Sequence, residues 1–154
     1  MINEGDIAPD VALVGIEGEP ISPTDFRGQK LVLYFYPKDD TSGCTAEAKA
    51  FTALAGEFEK TNAWVLGVSK DDAKKHRKFI EKYELGVPLA TDPDGSVCEA
   101  FGTWVEKSMY GRKYMGIDRA TFLIDRDGVV KRVWRKVKVP GHAEEVLVAA
   151  RSLP

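Results

Sequence analysis

Cysteine is scarce in this chain, with only Cys44 and Cys98 among 154 residues. Two thiols do not make a disulfide framework, so they read as individual thiols in a reducing compartment. Histidine is equally scarce. His76 and His142 show no metal-ligand spacing with either cysteine, which argues against a zinc or iron site. His76 lies in the charged run KKHRK and His142 follows Pro140-Gly141, so both are expected at the solvated surface. No apolar run approaches the ~18 residues of a membrane span, and MINEGDIAPDV carries no apolar targeting segment. A cytoplasmic protein is the expectation. Charge of one sign is missing too. The 22 Lys and Arg against 24 Asp and Glu leave a net charge of -2, so neither nucleic acid nor anionic membrane is an expected partner. The densest basic stretch, KRVWRKVK at Lys131–Lys138, alternates with Val and Trp and reads as a strand with one solvated face. Repeats, low-complexity tracts and linkers are absent, so residues 1–154 are expected to form one domain.

What is present alternates between strand-like and helix-like segments. Val11–Val14 is short and apolar, and Ser22–Gly28 reads as a turn or short helical piece. Lys30–Tyr36 and Ala63–Ser69 read as strands buried on both faces. Thr45–Lys60 places Ala48, Phe51, Leu54, Ala55 and Phe58 at helical spacing. Asp71–Lys82 reads as a charged amphipathic helix burying Phe79, Ile80 and Tyr83. A short strand at Val87–Thr91, a turn at Asp92-Pro-Asp-Gly95 and a short helix from Ser96 to Phe101 follow. Ala120–Ile124 and Val129–Val137 should form a hairpin across Asp125-Arg-Asp-Gly128, before a last helix with Val146, Leu147 and Ala150 on its inner face. Helix-connected early strands and a late hairpin predict an α/β fold, a central mixed sheet flanked by helices.

In such sheets, sites form beyond the C-terminal ends of strands. Cys44 lies there, in PKDDTSGC, between the strand LVLYFY and the helix TAEAKAF. A helix N-terminus offers unpaired N–H groups and the positive end of a dipole, which favour a thiolate. The alternative is a small buried hydrophobe, but the polar, loop-like PKDDTSG argues for a reactive thiol. Thr41 stands three residues before Cys44 with a hydroxyl to donate. Pro37 stiffens the turn and shields it from water. Arg119, just ahead of ATFLI, is the candidate cation.

Pro37, Thr41 and Cys44 reproduce the P-x-x-x-T-x-x-C signature of the peroxiredoxins. YFYPKDDTSGCTAEA, GDIAPD, LATDPDGSVCEAFGTW and WVEKSMYGRKYMGIDRATFLIDRDG resemble, in order, the branch called bacterioferritin comigratory protein or PrxQ. The resemblance covers essentially the whole chain. It implies a thioredoxin-like fold and a thiol peroxidase that needs no metal or organic cofactor. Cys44 would be the peroxidatic cysteine, oxidised to a sulfenic acid by hydrogen peroxide or an organic hydroperoxide. Thr41 and Arg119 would hold the thiolate and polarise the O–O bond, and Pro37 matches the family's shielding proline. Glu47 matches a recurrent acidic position, read as a first-turn residue that holds an arginine in place.

One departure bears on the cycle. Many members of the branch place a resolving cysteine five residues after the peroxidatic one, where this chain has Lys49. Cys98, in SVCEAFG, has apolar neighbours and reads as a small packed residue; a resolving role stays open as the alternative. The expectation is a one-cysteine cycle resolved by an external thiol: thioredoxin, glutaredoxin or a low-molecular-weight thiol. A thiol–disulfide oxidoreductase is a second alternative, but Cys44 opens no C-x-x-C motif. Lys107, Tyr110, Arg112 and Tyr114 are read as a solvated loop, with an anion site as the alternative. Phe35, Tyr36 and Trp104 are candidates for an apolar entrance, and a monomer is expected.

Overall fold

The computed structural model describes residues 1–154. Its first elements are β1 (Leu13–Gly15) and the edge strand β2 (Pro20–Ile21), where a proline costs no ladder hydrogen bond. A 3-10 turn, Pro23–Phe26, follows, with Ser22 and Asp25 forming a capping box. β3 (Lys30–Phe35) is buried along its whole length. Next come α1 (Ser42–Ala53), α2 (Ala55–Lys60) and β4 (Ala63–Ser69). α3 (Ala73–Tyr83) starts at Asp72, whose carboxylate accepts the Lys75 amide. β5 (Leu89–Thr91) and α4 (Ser96–Phe101) precede a hairpin of β6 (Trp104–Met109) and β7 (Arg112–Ile117). β8 (Ala120–Ile124), β9 (Val130–Trp134) and α5 (His142–Arg151) complete the chain.

Seven strands form one sheet in the order β2-β1-β5-β4-β3-β8-β9. β3, β4 and β5 are parallel because helices connect them, whereas β8 and β9 pair antiparallel. Alternate residues of β3 feed opposite faces. Val32 and Tyr34, with Tyr36 beyond the strand end, join Phe51, Phe58, Phe79 and Val146 from the helices α1, α2, α3 and α5. Leu31, Leu33 and Phe35 join Val97 and Phe101 from α4 and Phe122 from β8. Cys44 belongs to the first core and Cys98 to the second, so the sheet separates the two thiols.

Several elements differ from the sequence expectation. The helix expected over Thr45–Lys60 is two helices, broken at Leu54; the apolar spacing runs on through the break, since Phe51 and Phe58 still meet at 5.9 Å. The segment EKSMYGRKYMG is not a loop but most of the β6–β7 hairpin. Tyr110 and Gly111 turn it with φ of 53° and 78°, as a two-residue hairpin turn requires. Half of β6 and four of the six β7 residues are exposed, with no period-2 alternation to mark them. Phe35 and Tyr36 line no entrance, being buried at 0% and 1% exposure, and Trp104 is half-buried beneath the Lys70 ammonium.

His76 and His142 are not at the surface. Both are buried, at 0% and 6% exposure. The charged neighbours in KKHRK hid the helical geometry: His76 lies three residues before Phe79 and seven before Tyr83, on the same inward stripe. His142 lies four residues before Val146 and shares its face. No helix is long and apolar enough to cross a membrane.

Candidate active site

The polar turn after β3 delivers the chain into α1, and Cys44 is the third residue of that helix rather than the residue ahead of it. A residue this close to the start has no carbonyl four places back within the helix. The amides of Ser42, Gly43 and Cys44 therefore point their N–H groups out of the first turn. Cys44 is only 2% exposed, because Ala48 and Phe51 carry its face of the helix into the core.

Arg119 occupies the junction of β7 and β8, held by the Val137 amide donating to its carbonyl at 3.0 Å. Its Nη2 donates to Cys44 Sγ at 3.4 Å and its Nη1 to Glu47 Oε1 at 2.7 Å. Burial opposes the charge on Arg119, but Glu47 and Cys44 outweigh it and hold the guanidinium above its usual range. Gly43 makes this approach possible: a Cβ there would lie 3.0 Å from Nη2. The structure brings Cys44, Arg119 and Glu47 together, beside a glycine that the sequence did not single out.

Glu47 is not a first-turn residue, because α1 begins at Ser42. It lies one turn further on and faces inward at 1% exposure. Burial pushes its carboxyl up to about 7, with Arg119 pulling the other way. The second oxygen, Oε2, has no hydrogen-bond partner, and neither does the buried Tyr34 hydroxyl. An oxygen with no donor beside it is a natural place for the proton that burial favours.

Two other candidates stand differently from the expectation. Pro37 is exposed and stiffens the strand exit. The Thr41 hydroxyl donates to the Lys38 carbonyl at 2.8 Å, which leaves it closing the turn and not bonded to sulfur. Of the four hairpin residues, Lys107 alone is half-buried; burial lowers its ammonium, and it lies within electrostatic reach of Asp118, Arg119 and Cys44. Tyr110, Arg112 and Tyr114 face solvent. His142 lies behind the site, with Nε2 2.8 Å from Thr121 Oγ1 and its ring edge-on to Phe51 and Trp134. Burial lowers its basicity, and the charge of Arg119 lowers it further while Glu145 opposes.

Cys98 is fully buried in α4, where Asp92 accepts its backbone amide at 2.8 Å. Burial, reinforced by Asp92, raises its thiol well above the ordinary range, against a small opposing effect of Thr103. No three His, Cys, Asp or Glu side chains converge as metal ligands would.

The chain from residue 5 to 133 matches the AhpC/TSA family. This chain belongs to the peroxiredoxins. It is 44% identical over 152 residues to peroxiredoxin Bcp of Bacillus subtilis, covering 99% of this chain and 97% of that one. Peroxiredoxin Bcp of Escherichia coli is 43% identical over 146 residues, 95% and 94% of the two chains. Among solved structures, a cysteine-to-serine variant of Xylella fastidiosa PrxQ superposes with a TM-score of 0.93 at 42% identity, over 99% of this chain and 97% of that chain. The bacterioferritin comigratory protein of Xanthomonas campestris superposes at 0.89 with 43% identity, over 96% of each chain. The peroxiredoxin is thus a thiol-dependent peroxidase on a thioredoxin-like fold, and its relatives are of the Bcp/PrxQ kind.

Proposed function

We propose that this peroxiredoxin reduces hydrogen peroxide and organic hydroperoxides through Cys44, in a cycle completed by an external thiol. The observation that carries the reading is the Arg119 guanidinium set between Cys44 Sγ and Glu47. The Cys44 thiolate attacks the terminal oxygen of the hydroperoxide. An S–O bond forms as the O–O bond breaks, and the electron pair leaves with the second oxygen, which takes a proton to become water or an alcohol. Sulfur is oxidised to the sulfenic acid and the peroxide is reduced. Arg119 offers donors to the thiolate and to the oxygen on which charge builds. Glu47 braces that guanidinium, while Pro37 and Thr41 fix the turn. The Xanthomonas campestris relative has an alkyl peroxide reduction activity, which supports including organic hydroperoxides.

The external thiol attacks the sulfenic acid; an S–S bond forms and water leaves. A second thiol then attacks the mixed disulfide and frees Cys44. Thioredoxin, glutaredoxin and low-molecular-weight thiols are the candidate donors. Lys49 at the fifth residue after Cys44, and the burial of Cys98 on the opposite face of the sheet, support this one-cysteine cycle over resolution by Cys98. The absence of C-x-x-C weighs against a disulfide oxidoreductase. We place the enzyme in the cytoplasm as a monomer, with residues 1–154 acting as one domain whose two cores share a single sheet.

The test is intact mass under denaturing, non-reducing conditions after one equivalent of hydrogen peroxide, with a sulfenic-acid trap in parallel. One added oxygen at Cys44, captured by the trap, is the expected result. Loss of two hydrogens joining Cys44 to Cys98 would overturn the one-cysteine cycle.

A further inference from the structure

The turn that carries Cys44 has one anchor in the core. From Pro37 to Gly43, only Asp39 is buried. Its carboxylate meets two groups: the Tyr36 hydroxyl donates to Oδ1 at 2.5 Å, and His76 Nδ1 lies 2.7 Å from Oδ2. His76 comes from α3 and is fully buried, with Nε2 3.0 Å from the Ala90 carbonyl oxygen. A carbonyl oxygen only accepts, so Nε2 carries a hydrogen. The contact on the other side of the ring also needs one, because two lone pairs repel at that distance. One hydrogen therefore lies between His76 Nδ1 and Asp39 Oδ2, the tyrosine supplies Asp39 with a second donor, and both ring nitrogens are engaged.

The same helix also grips the next residue from outside. Asp40 accepts the Tyr83 hydroxyl at 2.6 Å and the Lys82 ammonium at 2.9 Å. Its φ of 58° is left-handed, a conformation that aspartate tolerates better than most residues. The remaining charges around the buried pair are Asp71, which accepts the Asp39 amide at 2.8 Å, and Asp72 at the start of α3.

We propose that His76 is a positioning residue for the peroxidase reaction: by clamping Asp39 it fixes the turn Pro37–Gly43, and with it the Cys44 sulfur against Arg119. The proposal rests on Cys44 being the peroxidatic thiol. His76 touches neither sulfur nor peroxide and acts only through the turn. A shift of about 1 Å in a reacting group lowers a rate by about 100-fold, so one anchor is enough to matter.

The experiment measures single-turnover oxidation of Cys44 by hydrogen peroxide in the full chain, with thermal melts to establish folding. His76→Leu removes both donors, and its rate is expected to fall about 10- to 100-fold. His76→Gln restores an amide donor toward Asp39 and is expected to recover most of the rate. Should His76→Leu not fold, the isosteric Asp39→Asn carries the kinetic test with the same expected fall. A wild-type rate in folded His76→Leu or Asp39→Asn would overturn the proposal. Failure of the Cys44 reading looks different: Cys44→Ser would go on consuming peroxide.

Discussion

Arg119 touches Cys44 and Glu47 with its two terminal nitrogens, at 3.4 Å to the sulfur and 2.7 Å to the carboxylate. A planar fork can do both at once; an ammonium is a single point of charge. Arg119→Lys is therefore expected to keep a cation near the site and lose the geometry. The second-order rate with hydrogen peroxide, followed by stopped flow, should fall by roughly 100-fold. A fall of less than threefold would show that charge alone suffices.

Gly43 separates stability from activity. Alanine suits a helix better than glycine, by about 0.5–1 kcal/mol. The added Cβ would stand 3.0 Å from Arg119 Nη2, so the guanidinium would have to give by a few tenths of an ångström beside the sulfur. Gly43→Ala is expected to melt no lower than the parent while its peroxide rate drops about 10-fold. Loss of both together would point to a different role for the glycine.

Glu47 gives a pH signature. Its carboxyl is raised from 4.5 to about 7 in the folded protein, chiefly by burial. A raised acid contributes stability that is full below the unfolded value of 4.5 and is lost as the pH climbs through about 7. Glu47→Gln mimics the protonated form at every pH. It is expected to match the parent in denaturant melts near pH 4 and to exceed it at pH 8 by up to about 3 kcal/mol. The peroxide rate should move the other way, since Gln braces Arg119 less strongly. Equal stabilities at pH 8 would rule out the burial effect.

Cys98 should prove dispensable for chemistry. Cys98→Ala is expected to lose about 1–2 kcal/mol from a tightly packed position. Steady-state turnover with a small external thiol should stay within twofold of the parent. A variant that reacts once with peroxide and then stalls with every donor would make Cys98 the resolving thiol.

β3, β4, β5, β8 and β9 were legible as buried runs or a hairpin, Cys44 as a turn before a helix and Arg119 as a charge next to a strand; Glu47 came only from the family resemblance, and the two-residue β2 left no pattern. The hairpin Trp104–Ile117 was not legible, because its covered residues cluster at the open end of the hairpin and leave no alternation to read. His76 was hidden by its neighbours in KKHRK, although its spacing to Phe79 and Tyr83 placed it on the buried stripe. Its partner Asp39 lies 37 residues away in the chain, and no local pattern joins the two. The bond from Thr41 to Lys38 was equally out of reach, since a hydroxyl's choice of acceptor depends on the turn's final shape.

The seven-stranded sheet lies between Cys44 and Cys98. In the one-cysteine cycle proposed above, that wall leaves the folded chain without a second sulfur to supply reducing equivalents. Each peroxide removed would then draw two electrons from an external thiol supply before the next could be met. When that supply lags, the waiting sulfenic acid is open to a second peroxide and to irreversible loss as the sulfinic acid. The enzyme's working lifetime would then read out thiol abundance relative to peroxide dose, not peroxide dose alone.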